Sequence, residues 1–474
     1  MPTERQIQEE KRQSRLDAAT VRTFVQSIRG KVIEPGDELY ESARRVYNGM
    51  IDKKPRLIVR CANVADVINS VNFARDNGLE LAIRGGSHNV AGLGVVDGGL
   101  VIDLSSMKGI RIDPAKRTVR VEGGCLWGDV DHATYPFGLA VPGGIISTTG
   151  VAGLTLGGGI GHLTRKYGLS CDNLISADVV TADGRLAVAS EHDNEDLFWA
   201  LRGGGGNFGV VTSFEFKAHP VKNVLAGPVF YGIEKTADVL RFYREFIAGA
   251  PEELSAFFAF QIGPEAPFIP KPLQGVTMCA IVACYSGPVE KGEQFVKPIR
   301  QFGPPVLDLL GPLPFPALQS LFDPLLPPGL QHYWKADYIH GITDDMINAH
   351  AEYGPKVPTV QSTMHIYPTS GAVQGVGKDQ TAYAARDVNF VHVIPAMYPD
   401  PKDTPKNVAW VRDYWGALHP HTAKSAYVNF LMGDEGEGSI KATYGDNYRR
   451  LSQIKKKYDP DNLFHVNQNI RPSE

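Results

Sequence analysis

Cysteine is scarce in this chain of 474 residues. Its five cysteines (Cys61, Cys125, Cys171, Cys279 and Cys284) are odd in number and form no Cys-x-x-Cys pair, which excludes a disulfide framework and a zinc ribbon. Long apolar runs are also missing, and no stretch approaches the ~18 residues that cross a bilayer. The N-terminal MPTERQIQEEKRQSRLDAATVRTF is charged and helix-like, with no apolar signal core. No Asn-x-Ser/Thr acceptor occurs. These absences predict a soluble, cytoplasmic protein with no membrane partner. Charge of one sign is lacking too: 48 Lys and Arg stand against 52 Asp and Glu, a net of −4, with no basic run. Nucleic acid is therefore not an expected partner. The signatures GxxxxGK(S/T), HExxH and GxSxG are absent, so phosphate-loop, zincin and nucleophile-elbow chemistry have no support.

Glycine is what the chain has in excess. Its 50 glycines are roughly 11% of the residues, against a usual ~7%. They concentrate between Gly85 and Gly209, at the ends of apolar β-type runs. Glycine lets backbone approach a ligand closely, and its N–H groups can ring an anion. A large anionic cofactor lying along these loops is the expectation. The length predicts two or three domains, and 43% hydrophobic with 21% charged residues is an ordinary globular mixture.

Residues 14–52 read as helices around a core strand at Gly30–Ile33. Asn63 is placed to cap a helix over Val64–Asn77, with Gly78 as its stop. Strands follow at Leu79–Arg84, Leu100–Leu104 and Thr118–Val121, then a helix over Leu126–Phe137. Leu174–Thr181 and Arg185–Ala189, joined at Asp183-Gly184, form a hairpin. A helix at Asn194–Leu201 and a strand at Val210–Lys217 close the first half. Beyond Pro220, helices at Ala237–Ala248 and Glu290–Phe302 alternate with strands at Ser255–Ile262, Val276–Cys284, Thr359–Tyr367 and Val388–Ile394. Proline density from Pro304 to Pro328 predicts a long surface connection. Tyr444–Tyr458 is a basic helix, and DPDNLF after it is expected to pack back on the first half.

GGGGNFG at Gly203–Gly209 formally satisfies the GxGxxG pattern. It follows a helix and leads into a strand, the reverse of the dinucleotide fingerprint, so a Rossmann site is not predicted. His88 sits in Arg84-Gly85-Gly86-Ser87-His88, at a strand exit in an anion-friendly loop. Cys125 sits in Gly123-Gly124-Cys125, next to an expected helix start that would lower its thiol pKa. Taken alone, each is more often a hydrogen-bonded loop histidine or a small buried hydrophobe. The glycine-ringed setting is what makes both candidates for a cofactor.

Together, Arg84–His88, Gly123–Cys125, Pro142–Gly161, Asp178–Gly184, Glu195–Thr212 and the C-terminal YGDNYRRLSQIKKKYDPDNLFHVNQNI resemble the berberine bridge enzyme-like oxidases. These belong to the vanillyl-alcohol oxidase group of FAD proteins with a PCMH-type FAD-binding domain. The resemblance runs from about Leu57 to Ile470. It implies an α+β, two-domain fold: an FAD-binding domain over residues 1–220, and a substrate domain over 221–426 with an antiparallel sheet covered by helices. The segment 427–474 would return to the FAD domain. It implies FAD held covalently twice, by an 8α-histidyl bond at His88 and a 6-S-cysteinyl bond at Cys125. Arg84, Gly85, Gly86 and Ser87 would wrap the pyrophosphate, with Asn89 and Gly92 continuing that loop. Thr149, Gly150, Gly153, Gly157, Gly158, Gly161 and Val210 would line the remainder of the cofactor. Thr149 aligns with the position that controls oxygen access, usually Val or Ile, and its size favours an oxidase.

The family's Tyr-x-Asn motif matches Tyr427-Val428-Asn429, on an apparent strand, with Tyr427 as the proton acceptor and Asn429 beside the cofactor. A phenol of pKa ~10 must be shifted down to serve near neutral pH. His365 and His392, each in a strand of the second half, are further catalytic candidates, followed by Tyr367 and Tyr398. The expected activity is oxidation of an alcohol or amine carbon by hydride loss, with O2 reduced to H2O2. The substrate would be a sugar, an aromatic or allylic alcohol, or a secondary metabolite, and the protein a monomer or homodimer. Two rivals are a dehydrogenase using a non-oxygen acceptor and a redox-silent flavin-binding protein.

Overall fold

The computed structural model describes residues 17–474, so most of the charged N-terminal stretch lies outside the described residues. Helix α1 (Ala18–Ser27) opens the described chain, with the Asp17 carboxylate accepting the Thr20 N–H. Strands β1 (Lys31–Ile33), β2 (Leu57–Arg60), β3 (Leu81–Arg84) and β4 (Leu100–Asp103) form a sheet in the order β1-β2-β4-β3. The last three are parallel. Helix α2 (Val64–Asp76) is the crossover, and the Asn63 side chain caps it by accepting the Asp66 N–H at 3.2 Å. Strand β3 ends on Arg84 and releases the chain into Gly85–Asn89 at the carboxyl edge of the parallel strands.

A second, antiparallel sheet follows, ordered β5 (Ile110–Asp113), β6 (Thr118–Glu122), β9 (Val210–Lys217), β7 (Leu174–Val180), β8 (Leu186–Ser190). The β7–β8 hairpin turns where expected, with Gly184 at φ 77°. Between β6 and β9 run helices α3 (Trp127–Thr134), α4 (Val151–Leu156) and α5 (Glu195–Leu201). The glycine run after α5 leads into β9, helix before strand, the order that argued against a Rossmann site.

The second half builds one large antiparallel sheet of eight strands. Five long strands and one short one run in the order β10 (Asn223–Gly232), β12 (Thr277–Tyr285), β11 (Leu254–Ile262), β14 (His365–Pro368), β15 (Phe390–Tyr398), β13 (Gln331–Ile339). Side chains alternate faces along a strand. Ala256, Phe258 and Phe260 of β11 enter the larger core, with Leu240 and Tyr243 of α6 (Thr236–Gly249), Val296 of α7 (Val289–Gln301), Ile347 of α8 (Asp344–Tyr353) and Val411 of α9 (Thr404–Leu418). Phe257 and Ala259 point the other way, toward the first half. Helices thus cover one face, and a cavity lies along the other. No helix among the described residues is long and apolar enough to cross a membrane.

Several expectations are corrected. The proline-dense stretch is not structureless: Leu307–Asp308 and Gly311–Pro314 pair with β10, and Phe315–Gln319 is helical. Proline is tolerated there because these are edge strands. The strand expected from Thr359 begins only at His365, because the Thr359 and Ser362 hydroxyls capture backbone groups, including both polar groups of Met397, in place of a ladder. The basic C-terminal helix expected from Tyr444 starts at Asn447, because Gly445 at φ 50° ends a separate preceding helix; the two are α10 (Gly436–Tyr444) and α11 (Asn447–Tyr458). Tyr427 is not on a strand. It precedes a single 3-10 turn at Val428–Phe430.

The C-terminal segment is fastened by one buried cation. The Lys455 ammonium donates to Asp459 Oδ2 at 2.6 Å, to the Asn207 carbonyl at 2.7 Å and to the Phe464 carbonyl at 2.9 Å. Both charged side chains are fully buried. Removing one member of such a pair strands the other charge. Lys455→Met is expected to lower unfolding free energy by roughly 3–5 kcal/mol, measured by urea denaturation. A change under about 1 kcal/mol, the range of exposed pairs, would show that the clasp is not structural.

Candidate functional site

A cavity lies between the first half and the bare face of the large sheet. Its walls come from the loop after β3, the 144–154 segment, the glycine run before β9, the bare face of the large sheet, and the C-terminal residues Phe464–Gln468. Arg84, Gly85, Gly86, Ser87, His88 and Asn89 all line it, as do Thr149, Gly150 and Gly153. The first loop reaches the second by direct backbone approach. A Cβ on Gly86 would stand 2.5 Å from Gly150 Cα.

His88 Nε2 lies 3.3 Å from the Thr148 hydroxyl. Its ring is stacked on Tyr47, with centroids 3.8 Å apart and planes at 19°. The His332 ring also meets Tyr47, with centroids 4.7 Å apart and planes at 37°. Tyr47 is itself held from two directions: its N–H donates to Ser87 O, and its hydroxyl donates to Leu326 O at 3.1 Å. Burial pushes the His88 imidazole down to about 4, so it is neutral at ordinary pH. Neither Tyr47 nor Thr148 was read from the sequence. Tyr47 lies outside the glycine clusters, and Thr148 lies within the Pro142–Gly161 stretch without having been singled out.

Cys125 is placed differently. Its backbone borders the site, with the Val151 N–H donating to its carbonyl. Its side chain is fully buried in the core with Val119, Trp127 and Phe214, and does not line the cavity. The nearest polar partner of its Sγ is Gly109 O at 3.9 Å. Burial pushes the thiol up to about 12, opposite to the lowering expected from a helix start. Ile146 lines the wall instead.

Five further expected positions are also off the cavity wall. Val210 is buried in the core of the first sheet. A Cβ on Gly92 would strike Ile51, on Gly157 the Asn429 side chain, on Gly158 the Tyr383 ring and on Gly161 the Gly143 carbonyl. These glycines make room for protein, not for ligand.

On the sheet side, Tyr427, Asn429, His365 and Tyr367 line the cavity. The Tyr427 oxygen accepts two N–H groups, from Gly159 and from Asn429 Nδ2, each at 2.7 Å. Burial raises the Tyr427 pKa and these donors pull it back, with burial prevailing. His365 Nδ1 is hydrogen-bonded to the Tyr367 hydroxyl. Burial pushes this imidazole down to about 3. His392 pairs across the ladder with Ile366, next to His365, and so faces the opposite side. It is fully buried, 3.7 Å from Asp337, and contributes nothing to the cavity. Tyr398 likewise turns away, toward Thr404 on the helix side.

Two family models match this chain: "FAD binding domain" over residues 55–190 and "Berberine and berberine like" over residues 426–471. An FAD-linked oxidoreductase of Dictyostelium discoideum is 36% identical over 457 residues, covering 95% of this chain and 97% of its own length. The (R)-6-hydroxynicotine oxidase of Paenarthrobacter nicotinovorans is 29% identical over 462 residues, covering 94% and 97%. The crystal structure of 6-hydroxy-D-nicotine oxidase from Arthrobacter nicotinovorans superposes with a TM-score of 0.85 at 28% identity, covering 94% of this chain and 99% of that one.

The cavity fits a bound FAD on its own chemistry. Arg84 Nη2 is buried without a hydrogen-bond partner, at the glycine-ringed end where an anionic group would sit. A Cβ on Gly153 or Gly206 would meet nothing within 4 Å, so both leave space that a ligand can occupy.

The buried histidines set a pH limit. His162, His332 and His365 are each pushed down to about 3 by burial. Unfolding returns them to an ordinary value near 6.5. Between those values the unfolded chain binds protons that the native one refuses. Stability is therefore complete above about pH 6.5 and falls as pH drops toward 4, by up to about 1.4 kcal/mol per unit for each histidine. Urea midpoints at pH 7.5, 6.0 and 5.0 should decline in that order. Histidine→Phe replacement at position 162 should flatten the decline.

Proposed function

Because the chain belongs to the berberine bridge enzyme-like FAD-linked oxidoreductases, we propose that it is an oxidase of an alcohol or amine carbon, with FAD attached through His88 alone. One observation carries this reading: a single cavity is lined by His88, Arg84, Tyr427 and His365 together. The division into domains at about residues 220 and 426 follows the same reading.

Bound FAD would supply the acceptor for the hydride lost by the substrate carbon, and O2 would take the electrons onward to give H2O2. The chain's own residues do the remainder. Arg84 Nη2 and the Gly85–Ser87 backbone hold the anionic portion. His88, neutral and fixed by Thr148 and Tyr47, is oriented for attachment. The Cys125 thiol points into a core, so the two-tether expectation is set aside. Tyr427, in its ionised form, takes the substrate's hydroxyl or amine proton; the Gly159 and Asn429 N–H groups support the charge its oxygen carries beforehand, against the burial that disfavours it. Thr149, close to valine in volume, leaves oxygen a path along the wall.

Two experiments test this. In acid-precipitated protein, flavin mass is expected on the peptide holding His88 and absent from the peptide holding Cys125. His88→Ala should release its flavin to the supernatant. Flavin on the Cys125 peptide would overturn the single-tether reading. Tyr427→Phe is expected to slow anaerobic flavin reduction by about 10²–10⁴-fold. Asn429→Ala removes a donor to the charged oxygen, so the rising limb of its pH–rate profile should move to higher pH. An unmoved limb would remove Tyr427 from the proton's path.

A further inference from the structure

The bare face of the large sheet has a shape that follows from its register. Ala280, Ala259, His365 and Val393 are ladder partners on four neighbouring strands, and all four line the cavity. At ~4.8 Å per strand they form a row about 14 Å long that crosses the strands. Three of the four side chains are small. Larger side chains border parts of the row: Phe257 and Tyr367 stand on one side, with Val282 beside Phe257, and Gln261 and Pro395 on the other, with Thr363 between them. The result is a trough with a low floor and raised edges, with the His365 imidazole in its floor.

The polar inventory of this trough is short. Among the described residues lining the whole cavity, Arg84 is the sole Asp, Glu, Lys or Arg, and it belongs to the glycine-ringed end. The edge residues have spent their donors on the protein: Gln261 Nε2 donates to Ile262 O and Val360 O, and Thr363 Oγ1 donates to Phe260 O at 2.6 Å. The remaining polar side chains on the sheet side of the cavity include His365, Tyr367, Tyr427 and Gln361. Elsewhere the facing surfaces are Phe257, Phe322, Trp334 and Phe430. An ammonium or carboxylate entering here would lose its hydration with no ion to pair with, and a sugar would bury hydroxyls with few partners. A flat apolar body loses nothing and gains ring contacts.

Building on the oxidase reading above, we propose that the substrate is an uncharged, flat molecule of two or more joined rings. It lies along this trough across the strands and presents a single hydroxyl to His365 and Tyr427. Amines bound as ammonium ions and carbohydrates are excluded from the class.

The test uses the flavin-loaded protein without oxygen and reads binding from the shift of the visible flavin spectrum and the quenching of tryptophan fluorescence. The probes are 2-naphthylmethanol, the isosteric 2-naphthylmethylammonium and 2-naphthoate, and cellobiose. 2-Naphthylmethanol is expected to bind at least about tenfold more tightly than either charged isostere, and cellobiose to give no saturable change. Ala259→Trp fills the trough and should abolish naphthylmethanol binding with an unchanged circular-dichroism melt. Ala280→Asp, which adds a carboxylate at the row's end, should improve naphthylmethylammonium binding. Charged isosteres binding as tightly as the alcohol, saturable cellobiose binding, no binding by any probe, or an indifferent Ala259→Trp would each overturn the proposal. Bleaching of the flavin is scored separately. An alcohol that binds without bleaching supports the class and counts against the oxidase reading, whereas bleaching by cellobiose keeps the oxidase reading and overturns the class.

Discussion

The site depends on two stretches of backbone touching with nothing between them. Gly86 and Gly150 pack main chain to main chain, and a single methyl on either would fall within 2.5 Å of the other's backbone. This approach sets the His88 loop beside the segment that carries Thr148 and Thr149, so the imidazole meets a hydroxyl contributed some sixty residues later in the chain. It also leaves Gly153 facing open space. Side chains at these points would hold the loops apart, and interiors at native packing density have little capacity to absorb such a shift. Glycine is required here by crowding at two positions and by vacancy at a third.

Around that contact, the large sheet's half of the chain repeatedly reaches back to fix the first half. Tyr47, whose ring supports His88, is tied to Leu326 and Gly329. The Asp323 carboxylate accepts the Ser147 N–H and hydroxyl, next to Thr148. The buried Arg386 guanidinium grips both oxygens of Asp172 and the Tyr383 carbonyl. Tyr383 in turn lies against Gly158 and Gly203. The cofactor end and the substrate end are thus mechanically continuous, and a change in one bears on the other through packed, hydrogen-bonded parts.

Local pattern made much of this legible. The Arg84–His88 loop, the Asp183-Gly184 hairpin, the Asn63 cap and the core strands follow from glycine placement, capping chemistry and apolar alternation, and they stand where they were expected. What could not be read was direction. His365 and His392 sit in similar apolar strands, and only the pairing of Val393 with His365 and of His392 with Ile366 decides which one faces the cavity. Cys125 follows two glycines at a strand end, as a ligand-facing residue would, yet the turn sends its side chain into the core. Gly157, Gly158 and Gly161 look like cofactor glycines in sequence, but the groups they admit are Asn429, Tyr383 and the Gly143 carbonyl, two of them hundreds of residues away. Partners at such separations leave no local signal.

The wall completed by Phe464–Gln468 also imposes an order of events on biosynthesis. The glycine loops, His88 and the anion-facing arginine leave the ribosome early, but the enclosure that would retain a cofactor is closed by residues translated after every other part of it. The Lys455 clasp that seats them is made later still than Asn207, whose carbonyl it holds. The enclosure is therefore finished only once this segment has joined the first half. A nascent chain stalled before this segment would leave the glycine-rich surface open to water on that side.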